Sequence, residues 1–246
     1  MRLTVLGGSG AWPTAERPCS GYLVEEDGFR LLVDPGYATF PALQRYVAPD
    51  DVDAVLVTHG HPDHCVDLNP LLRARALTDR PPAPLPLFAP PGALDAVLAL
   101  DRPGMLDEAY ARTDIASGVP VRIGPFDVEP RALPHFVPNL GVRLAAGGTV
   151  LAYTGDTGPS DDVVALAEGA HLFVCEATHL EVPEDDAAHL TSPAQAGEYA
   201  ARAEVGRLLL THLWPGTDEP AAIAAAARAY GGPIGVARPG DVLDVT

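Results

Sequence analysis

The chain has 246 residues, of which 33 are acidic and 16 are basic, so its formal net charge at pH 7 is −17. Every basic residue is arginine, which excludes mechanisms built on a lysine, such as a Schiff base or the phosphate clamp of a Walker A loop. The acidity argues against a nucleic acid held through its phosphates, because such binding needs clustered cations.

The first half of the chain predicts strands that alternate with short helices. An Asp27-Gly28 turn between two apolar runs is typical of a β-hairpin, and the continuous apolar run Asp53–Thr58 is typical of a buried strand. Residues 102–120 give no clear prediction. The predicted strands are Met1–Leu6, Tyr22–Val24, Phe29–Val33, Asp53–Thr58 and Leu85–Ala89, and the predicted helices cover residues 64–77 and Gly92–Asp101.

The second half shows the same order of elements. Ser192 is expected to cap a helix that begins at Pro193, where the missing N–H costs nothing. The predicted strands are Phe126–Leu133, Leu140–Ala145, Thr149–Thr154, His171–Cys175, Arg207–Thr211 and Ile234–Val245, and the predicted helices are Pro159–Glu168, Pro193–Val205 and Glu219–Tyr230. No linker divides the chain, so we predict one domain over residues 1–246. The alternation favours two packed sheets with helices outside, an α/β/β/α sandwich.

The sequence predicts no membrane or secretory segment. Its first residues predict a strand rather than a signal peptide, and no apolar run approaches the roughly 18 residues of a membrane span. Cys19, Cys65 and Cys175 are odd in number and widely spaced, which argues against a disulfide framework. We therefore expect a cytoplasmic protein with no membrane partner.

Three imidazoles and a carboxylate follow directly after the buried strand Asp53–Thr58. They are His59, His61, Asp63 and His64. Functional side chains concentrate in loops that follow strands, and neutral imidazole and carboxylate are natural ligands of zinc and similar divalent ions. The segment therefore predicts a metal site.

This segment resembles the H-x-H-x-D-H signature of the metallo-β-lactamase superfamily. Three later residues match the rest of that family's pattern in order: His135, Asp156 and His212, each at the end of a predicted strand. The resemblance implies a four-layer α/β/β/α fold and two divalent metal ions. It implies that His59, His61 and His135 hold one ion, that Asp63, His64 and His212 hold the other, and that Asp156 bridges them.

The resemblance also favours hydrolysis over redox chemistry. Two ions can activate a bridging water and stabilise the charge of a displaced oxygen. Asp63, one of the implied ligands, is also counted with the catalytic residues. Such a centre is locally positive inside an acidic protein, so it can attract a small anionic substrate. Relatives that reduce oxygen carry Glu where His61 stands, and β-lactam-hydrolysing relatives place a Cys near the second metal. Zinc is therefore the favoured ion, with manganese and iron left open.

Two further segments resemble the phosphodiesterase branch of the superfamily, which includes ribonuclease Z, the tRNA 3′-processing endonuclease. Cys175–Thr178 and His189–Thr191 are similar to its His-Glu-Ala-Thr and His-Ser-Thr segments, although Cys175 replaces the first His and Leu190 replaces the Ser. The resemblance implies that His189 donates a proton to the leaving oxygen and that Glu176 fixes its tautomer.

The spacing of the motifs favours a small phosphodiester over tRNA. Ribonuclease Z carries a long tRNA-gripping arm between its third His and its bridging Asp, whereas His135 and Asp156 here are joined by a simple hairpin. The chain looks similar to bacterial cyclic-nucleotide phosphodiesterases, which implies a substrate such as a 3′,5′-cyclic nucleotide. Asn139 and Arg143 are candidates to contact the substrate phosphate, and an ordinary surface role is equally open for Arg143.

Other classes stay open at this point. A lactonase or another ester hydrolase could use the same metals, a tRNA-processing enzyme is a less favoured reading, and a binding module would be expected to have lost ligands. The resemblance also implies a possible homodimer.

Overall fold

The computed structural model describes all of residues 1–246 and contains fourteen strands and seven helices. The strands are β1 (Arg2–Gly7), β2 (Gly21–Glu26), β3 (Phe29–Val33), β4 (Ala54–Leu56), β5 (Leu85–Ala89), β6 (Tyr110–Asp114), β7 (Val121–Ile123), β8 (Phe126–Leu133), β9 (Asn139–Ala146), β10 (Thr149–Tyr153), β11 (Leu172–Glu176), β12 (Leu208–Thr211), β13 (Ile234–Val236) and β14 (Val242–Asp244). The helices are α1 (Thr39–Leu43), α2 (Pro62–Cys65), α3 (Leu68–Ala76), α4 (Asp95–Leu98), α5 (Asp161–Ala167), α6 (Pro193–Arg202) and α7 (Glu219–Ala226).

Two seven-stranded sheets share one plan. The first has the order β14-β1-β2-β3-β4-β5-β6 and the second has the order β13-β12-β11-β10-β9-β8-β7. In each sheet antiparallel hairpins come first and parallel strands follow, with β3 to β6 parallel in the first sheet and β10 to β13 parallel in the second. The parallel strands therefore end at one edge of each sheet, where loops with functional side chains can meet.

Three apolar cores separate four layers. The central core joins the facing sides of the two sheets, for example Leu56 with Val142 and Val174. The next residue along a strand points outward, so Val55 packs in a core with α3, and Phe173 packs in a core with α5, α6 and α7. This arrangement confirms the predicted α/β/β/α sandwich.

Two predicted elements are divided in the structure. Residues 64–77 form α2 and α3 rather than one helix, because Asp67 between them accepts a hydrogen bond from Phe40 N and its own N–H donates to Pro35 O. The predicted strand Ile234–Val245 is two strands, β13 and β14, which lie in different sheets. A turn at Gly240, with φ of +97°, carries the chain between them.

The region without a sequence prediction contains the edge strand β6. Its side chains are mostly exposed, so residues 110–114 lack the apolar pattern that marks the buried strands.

None of the helices is long and apolar enough to span a bilayer. The three cysteines are buried and unpaired.

Candidate metal centre

The loops that follow four strands converge on one cluster of side chains. β4 leads into the loop with His59, β8 into His135, β10 into Asp156 and β12 into His212. The structure brings the seven sequence-predicted ligands together as two groups with one shared member. The first ligand group is His59, His61, His135 and Asp156, and the second ligand group is Asp63, His64, Asp156 and His212.

The donor atoms of the first ligand group are within reach of a single ion. His61 Nδ1 lies 3.1 Å from both His59 Nε2 and His135 Nε2. Asp156 Oδ2 lies 3.7 Å from His59 Nε2 and 3.6 Å from His135 Nε2. Four ligand atoms held tetrahedrally about 2 Å from zinc are roughly 3.3 Å apart, so the spacing fits such an ion.

Hydrogen bonds behind two of these imidazoles fix their tautomers. The Thr58 hydroxyl donates to Asp34, so His59 Nδ1, 3.1 Å from the same hydroxyl oxygen, is the donor in that contact. His135 Nδ1 lies 3.0 Å from the carbonyl oxygen of His189, which only accepts. Both rings therefore carry their proton on Nδ1 and present the Nε2 lone pair to the centre, the form that binds a metal.

The second ligand group places nitrogen and oxygen acceptors against one another. His212 Nε2 lies 3.2 Å from Asp63 Oδ2 and 3.3 Å from Asp156 Oδ2. His64 Nε2 lies 3.1 Å from Asp156 Oδ1, yet both atoms are buried without a hydrogen-bond partner. A buried polar atom without a partner costs free energy, and a cation between these acceptors would remove that cost. The donor set thus fits divalent cations in both groups.

Asp34, a residue outside the predicted set, lies beneath the centre. Its fully buried carboxylate accepts hydrogen bonds from His64 Nδ1 at 2.8 Å, from Thr58 N and Oγ1 at 2.7 Å each, and from the Tyr153 hydroxyl at 2.9 Å. It directs the Nε2 of His64 toward the second ligand group. Its place directly after β3, in the segment Val33–Gly36, is the sequence feature that could have revealed it.

Glu176 contacts the support of His212 in the structure and makes no hydrogen bond to His189, the partner that the sequence implies. Its carboxylate accepts hydrogen bonds from the Thr178 hydroxyl at 2.6 Å and from Thr191 N at 3.4 Å, and it also accepts one from Thr157 N. The Thr178 oxygen lies 2.9 Å from His212 Nδ1. With Glu176 ionised, its bond to Thr178 makes His212 Nδ1 the donor and leaves Nε2 free for a metal.

His189 lies near the first ligand group without a carboxylate partner. Its backbone oxygen is the acceptor for His135, its ring is 4.4 Å from the ring of Phe136, and its Nδ1 is buried without a hydrogen-bond partner. The loop after the 3₁₀ turn Glu184–Asp186 carries it, rather than a regular element.

Burial and mutual charge shift the titration of the cluster. Burial, added to the repulsion of neighbouring imidazoles, lowers the pKa of His59 well below its usual value. Burial works against the charged form of His64 as well, yet the negative charge of Asp156 and the hydrogen bond to Asp34 raise its pKa well above the usual value. Burial and the charge of Asp156 raise the pKa of Glu176 to about 8, and a cation in the second ligand group would lower it.

Close backbone packing explains why two positions near the centre are glycine. Gly155 has φ of +58°, and a Cβ there would lie 2.5 Å from Asn139 Oδ1 and 2.8 Å from Thr58 Oγ1. Only glycine therefore lets Asp156 follow β10 at this depth. Gly10, in the loop after β1, approaches the backbone and ring of His212 so closely that a Cβ would lie 2.7 Å from its carbonyl oxygen.

The two candidate substrate contacts, Arg143 and Asn139, bond to backbone carbonyl oxygens in the structure. Arg143 faces α5 on the outer side of the second sheet, where its guanidinium donates to the carbonyl oxygens of Leu166 and Glu168 at 3.2 and 2.8 Å. Asn139 lies beneath the centre, 3% exposed, and donates to Thr154 O at 3.0 Å. Arg143 is directed away from a substrate at the centre, and Asn139 is covered by the loop that carries Asp156.

Comparison with known proteins places this fold and cluster in a family. The family described as the β-lactamase superfamily domain matches residues 14–213. The crystal structure of the metallo-β-lactamase fold protein YhfI from Bacillus subtilis superposes with a TM-score of 0.90, at 28% identity over 98% of both chains. The chain belongs to the metallo-β-lactamase superfamily. The prediction of an enzyme is confirmed at this level, since family and fold are those of metal-dependent hydrolases.

Two further proteins resemble the chain along most of its length. An uncharacterized protein of Mycobacterium tuberculosis is 36% identical over 95% of this chain and 88% of its own length. Ribonuclease Z of Kineococcus radiotolerans is 32% identical over 92% of this chain and 88% of its own length. The predicted resemblance to the ribonuclease Z side of the superfamily is thereby confirmed.

Proposed function

We propose that the chain is a dinuclear metal-dependent phosphodiesterase that acts on a small phosphodiester, with a 3′,5′-cyclic nucleotide as the favoured substrate. Zinc is the favoured ion and manganese or iron are alternatives, because the ligands are imidazoles and carboxylates without a thiolate. Seven side chains would hold the ions: His59, His61, Asp63, His64, His135, Asp156 and His212.

The observation that carries the proposal is the shared position of Asp156. Its carboxylate belongs to both ligand groups: Oδ1 lies 3.1 Å from His64 Nε2, and Oδ2 lies 3.6 Å from His135 Nε2 and 3.3 Å from His212 Nε2. A carboxylate between two sets of nitrogen donors is the arrangement expected of a bridging ligand. Two ions bound there would activate a water and stabilise the charge on the displaced oxygen of a phosphodiester.

The residues around the centre have separate roles in this proposal. Asp34 and Thr178 orient His64 and His212, and Glu176 acts through Thr178. His189 is the proposed general acid, because its backbone bonds the ligand His135 and its ring packs on Phe136, which places the ring beside the first ligand group. An imidazolium there would give its proton to the leaving ribose oxygen.

A small substrate is favoured over tRNA by two features of the chain. β9 and β10 are joined by the turn Gly147-Gly148, so the segment between His135 and Asp156 contains only this hairpin. The alignment with ribonuclease Z extends over 284 positions, more than the 246 residues of this chain, so that relative has inserted residues that this chain lacks. The net charge of −17 also opposes a polyanionic partner.

A lactone or another carboxylic ester is the second candidate substrate. The bond from Thr178 to Glu176 leaves His189 without a carboxylate partner. A carboxylate partner would stabilise the protonated form of a general acid, which a phosphodiesterase uses to protonate its leaving oxygen. Without that partner, His189 favours phosphodiester chemistry less strongly, and the same metals could serve acyl transfer.

The substrate class is tested with a panel of compounds on the metal-loaded protein. The panel contains cyclic nucleotides, a linear dinucleotide, a lactone and a precursor tRNA, each assayed with zinc and with manganese. We expect the highest kcat/KM on a cyclic nucleotide, and Asp156→Asn, which loses the shared ligand, should abolish it. Turnover of the lactone or tRNA without any small phosphodiester would overturn the proposal.

A further inference from the structure

Two exposed tryptophans contact each other beside the second ligand group. Trp12 and Trp214 are the only tryptophans in the chain, and their ring centroids lie 4.8 Å apart at an interplanar angle of 82°. They are 46% and 36% exposed. Indole rings in folded proteins are mostly covered, because burying them removes a large apolar area from water. The pair therefore leaves a large part of its aromatic surface open to solvent.

Backbone hydrogen bonds fix this tryptophan pair relative to the ligands. Ala11 N, directly before Trp12, donates to the Asp63 carboxylate at 2.9 Å. Trp214 N donates to the carbonyl oxygen of Thr178 at 2.9 Å, and the Thr178 hydroxyl oxygen contacts Nδ1 of the ligand His212. A ligand that rests on the indoles therefore stands beside the second ligand group.

Aromatic rings continue on either side of the pair. The ring of His179 lies 4.6 Å from that of Trp214. Next to the first ligand group, Phe136 is 51% exposed and contacts His189. Exposed aromatic side chains thus adjoin both ligand groups, and the tryptophan pair is the larger of these surfaces.

We propose that the tryptophan pair binds the base of a nucleotide substrate by stacking, while the phosphodiester occupies the centre. This inference rests on the proposed function and narrows its substrate class to nucleotides. Every nucleobase has a flat π-face that stacks on an exposed aromatic ring, and such stacking needs no hydrogen-bond pattern. It also needs no positive charge.

Because the protein is strongly acidic, a way to bind a nucleobase without positive charge matters here. The chain has no lysine and a net charge of −17, so its overall charge repels a nucleotide. The arginine that was the sequence candidate for the phosphate, Arg143, is bonded to backbone carbonyls on the far side of the sheet. Metal ions for the phosphate and indoles for the base together account for recognition of a nucleotide by such an acidic protein.

Intrinsic fluorescence tests the inference directly, because both emitting tryptophans belong to the proposed subsite. The metal-loaded protein is titrated with adenosine 5′-monophosphate and, separately, with ribose 5-phosphate, which has the same phosphate without a base. Excitation at the red edge of the tryptophan band avoids absorption by the purine. We expect the nucleotide to quench the emission, and ribose 5-phosphate to leave it unchanged at the same concentration.

Variants assign the effect to the two side chains. Trp12→Leu and Trp214→Leu should each lower the ratio of kcat/KM for the cyclic nucleotide to kcat/KM for base-free ribose 3′,5′-cyclic phosphate by about 5-fold or more. Trp12→Phe and Trp214→Phe, which keep an aromatic face, should restore most of that ratio. The matched control is Tyr46→Leu, at a 43% exposed aromatic residue between α1 and β4, where we expect no change in the ratio.

The outcomes separate this inference from the proposed function. Quenching by the nucleotide alone supports the subsite even if no phosphodiester in the panel is hydrolysed. If cyclic nucleotides are hydrolysed but the base does not quench the emission and both Leu variants keep the ratio, the subsite is overturned and the phosphodiesterase proposal stands. Equal quenching by ribose 5-phosphate would also overturn it.

Discussion

Four of the five imidazoles in the cluster are held from behind by a protein acceptor. Thr58 accepts from His59, Asp34 from His64, the carbonyl oxygen of His189 from His135, and Thr178 from His212. Each bond engages one ring nitrogen and leaves the other directed at the centre. Ligands that are already oriented lose little freedom on binding a metal, so these supporting residues should contribute to metal affinity.

At this scale the first prediction concerns Thr178. Thr178→Val keeps the shape but removes the hydroxyl between His212 and Glu176. We expect the affinity for one of two ions to fall by roughly 10- to 100-fold, because His212 loses the bond that fixes its tautomer. Metal binding followed by calorimetry measures it, and Thr178→Ser, which keeps the hydroxyl, is the control. Two ions bound by the Val variant as tightly as by the natural chain would contradict the relay.

The second prediction concerns His189. His189→Ala should lower kcat by roughly 10²- to 10⁴-fold if its side chain is the general acid. Metal content should not change, because the bond to His135 comes from the backbone oxygen of His189, which the substitution keeps. Steady-state kinetics with metal analysis tests both points. An unchanged kcat would reject the role, and loss of metal would indicate a structural one.

At the scale of elements, apolar patterning predicted the buried strands well. β3, β5 and β8 begin and end where the sequence predicts, and the turn Asp27-Gly28 has both residues at positive φ. The division between α2 and α3 could not be predicted, because it depends on the contact of Asp67 with residues about thirty positions away. The same holds for β13 and β14, since the periodicity of one segment does not reveal which sheet each part joins.

Gly155 gives a prediction about the loop that carries Asp156. Gly155→Ala should destabilise the protein by more than Gly169→Ala, a control with nearly the same φ, +59° against +58°, but with open space where a Cβ would stand. Left-handed strain alone costs about 1–2 kcal/mol, and the clash with Asn139 and Thr58 should add about 1–3 kcal/mol. Urea unfolding of the metal-free variants measures the difference. Equal losses would show that the loop has room to move.

At the scale of the whole molecule, the order of motifs predicted which residues converge but not all of their contacts. The seven proposed ligands meet as expected. The support of His212 by Glu176, the position of Asp34 and the exposed tryptophan pair arise from tertiary contacts between loops. No spacing along the chain encodes these contacts. Of the two roles left open for Arg143, the bonds to Leu166 O and Glu168 O favour the one on the outer surface of the sheet.

Several predictions at this scale stay predictions. They are the single domain over residues 1–246, the cytoplasmic location and the homodimer. The acidic charge of the molecule, −17, combined with a centre that binds cations, leads to one expectation. Binding of the phosphate of a small nucleotide should depend on the metal ions far more than on charged side chains at the protein surface.

Titration of the metal-free protein with zinc or manganese tests the central claim most directly. A chelator first removes bound metal, and hydrolysis of a cyclic nucleotide is then followed against the number of ions bound per chain. A dinuclear phosphodiesterase should be inactive without metal and reach full activity at about two ions per chain, as expected for two metals that act on one displacement. Full activity without metal or at one ion per chain, or no hydrolysis with both ions bound, would contradict the claim.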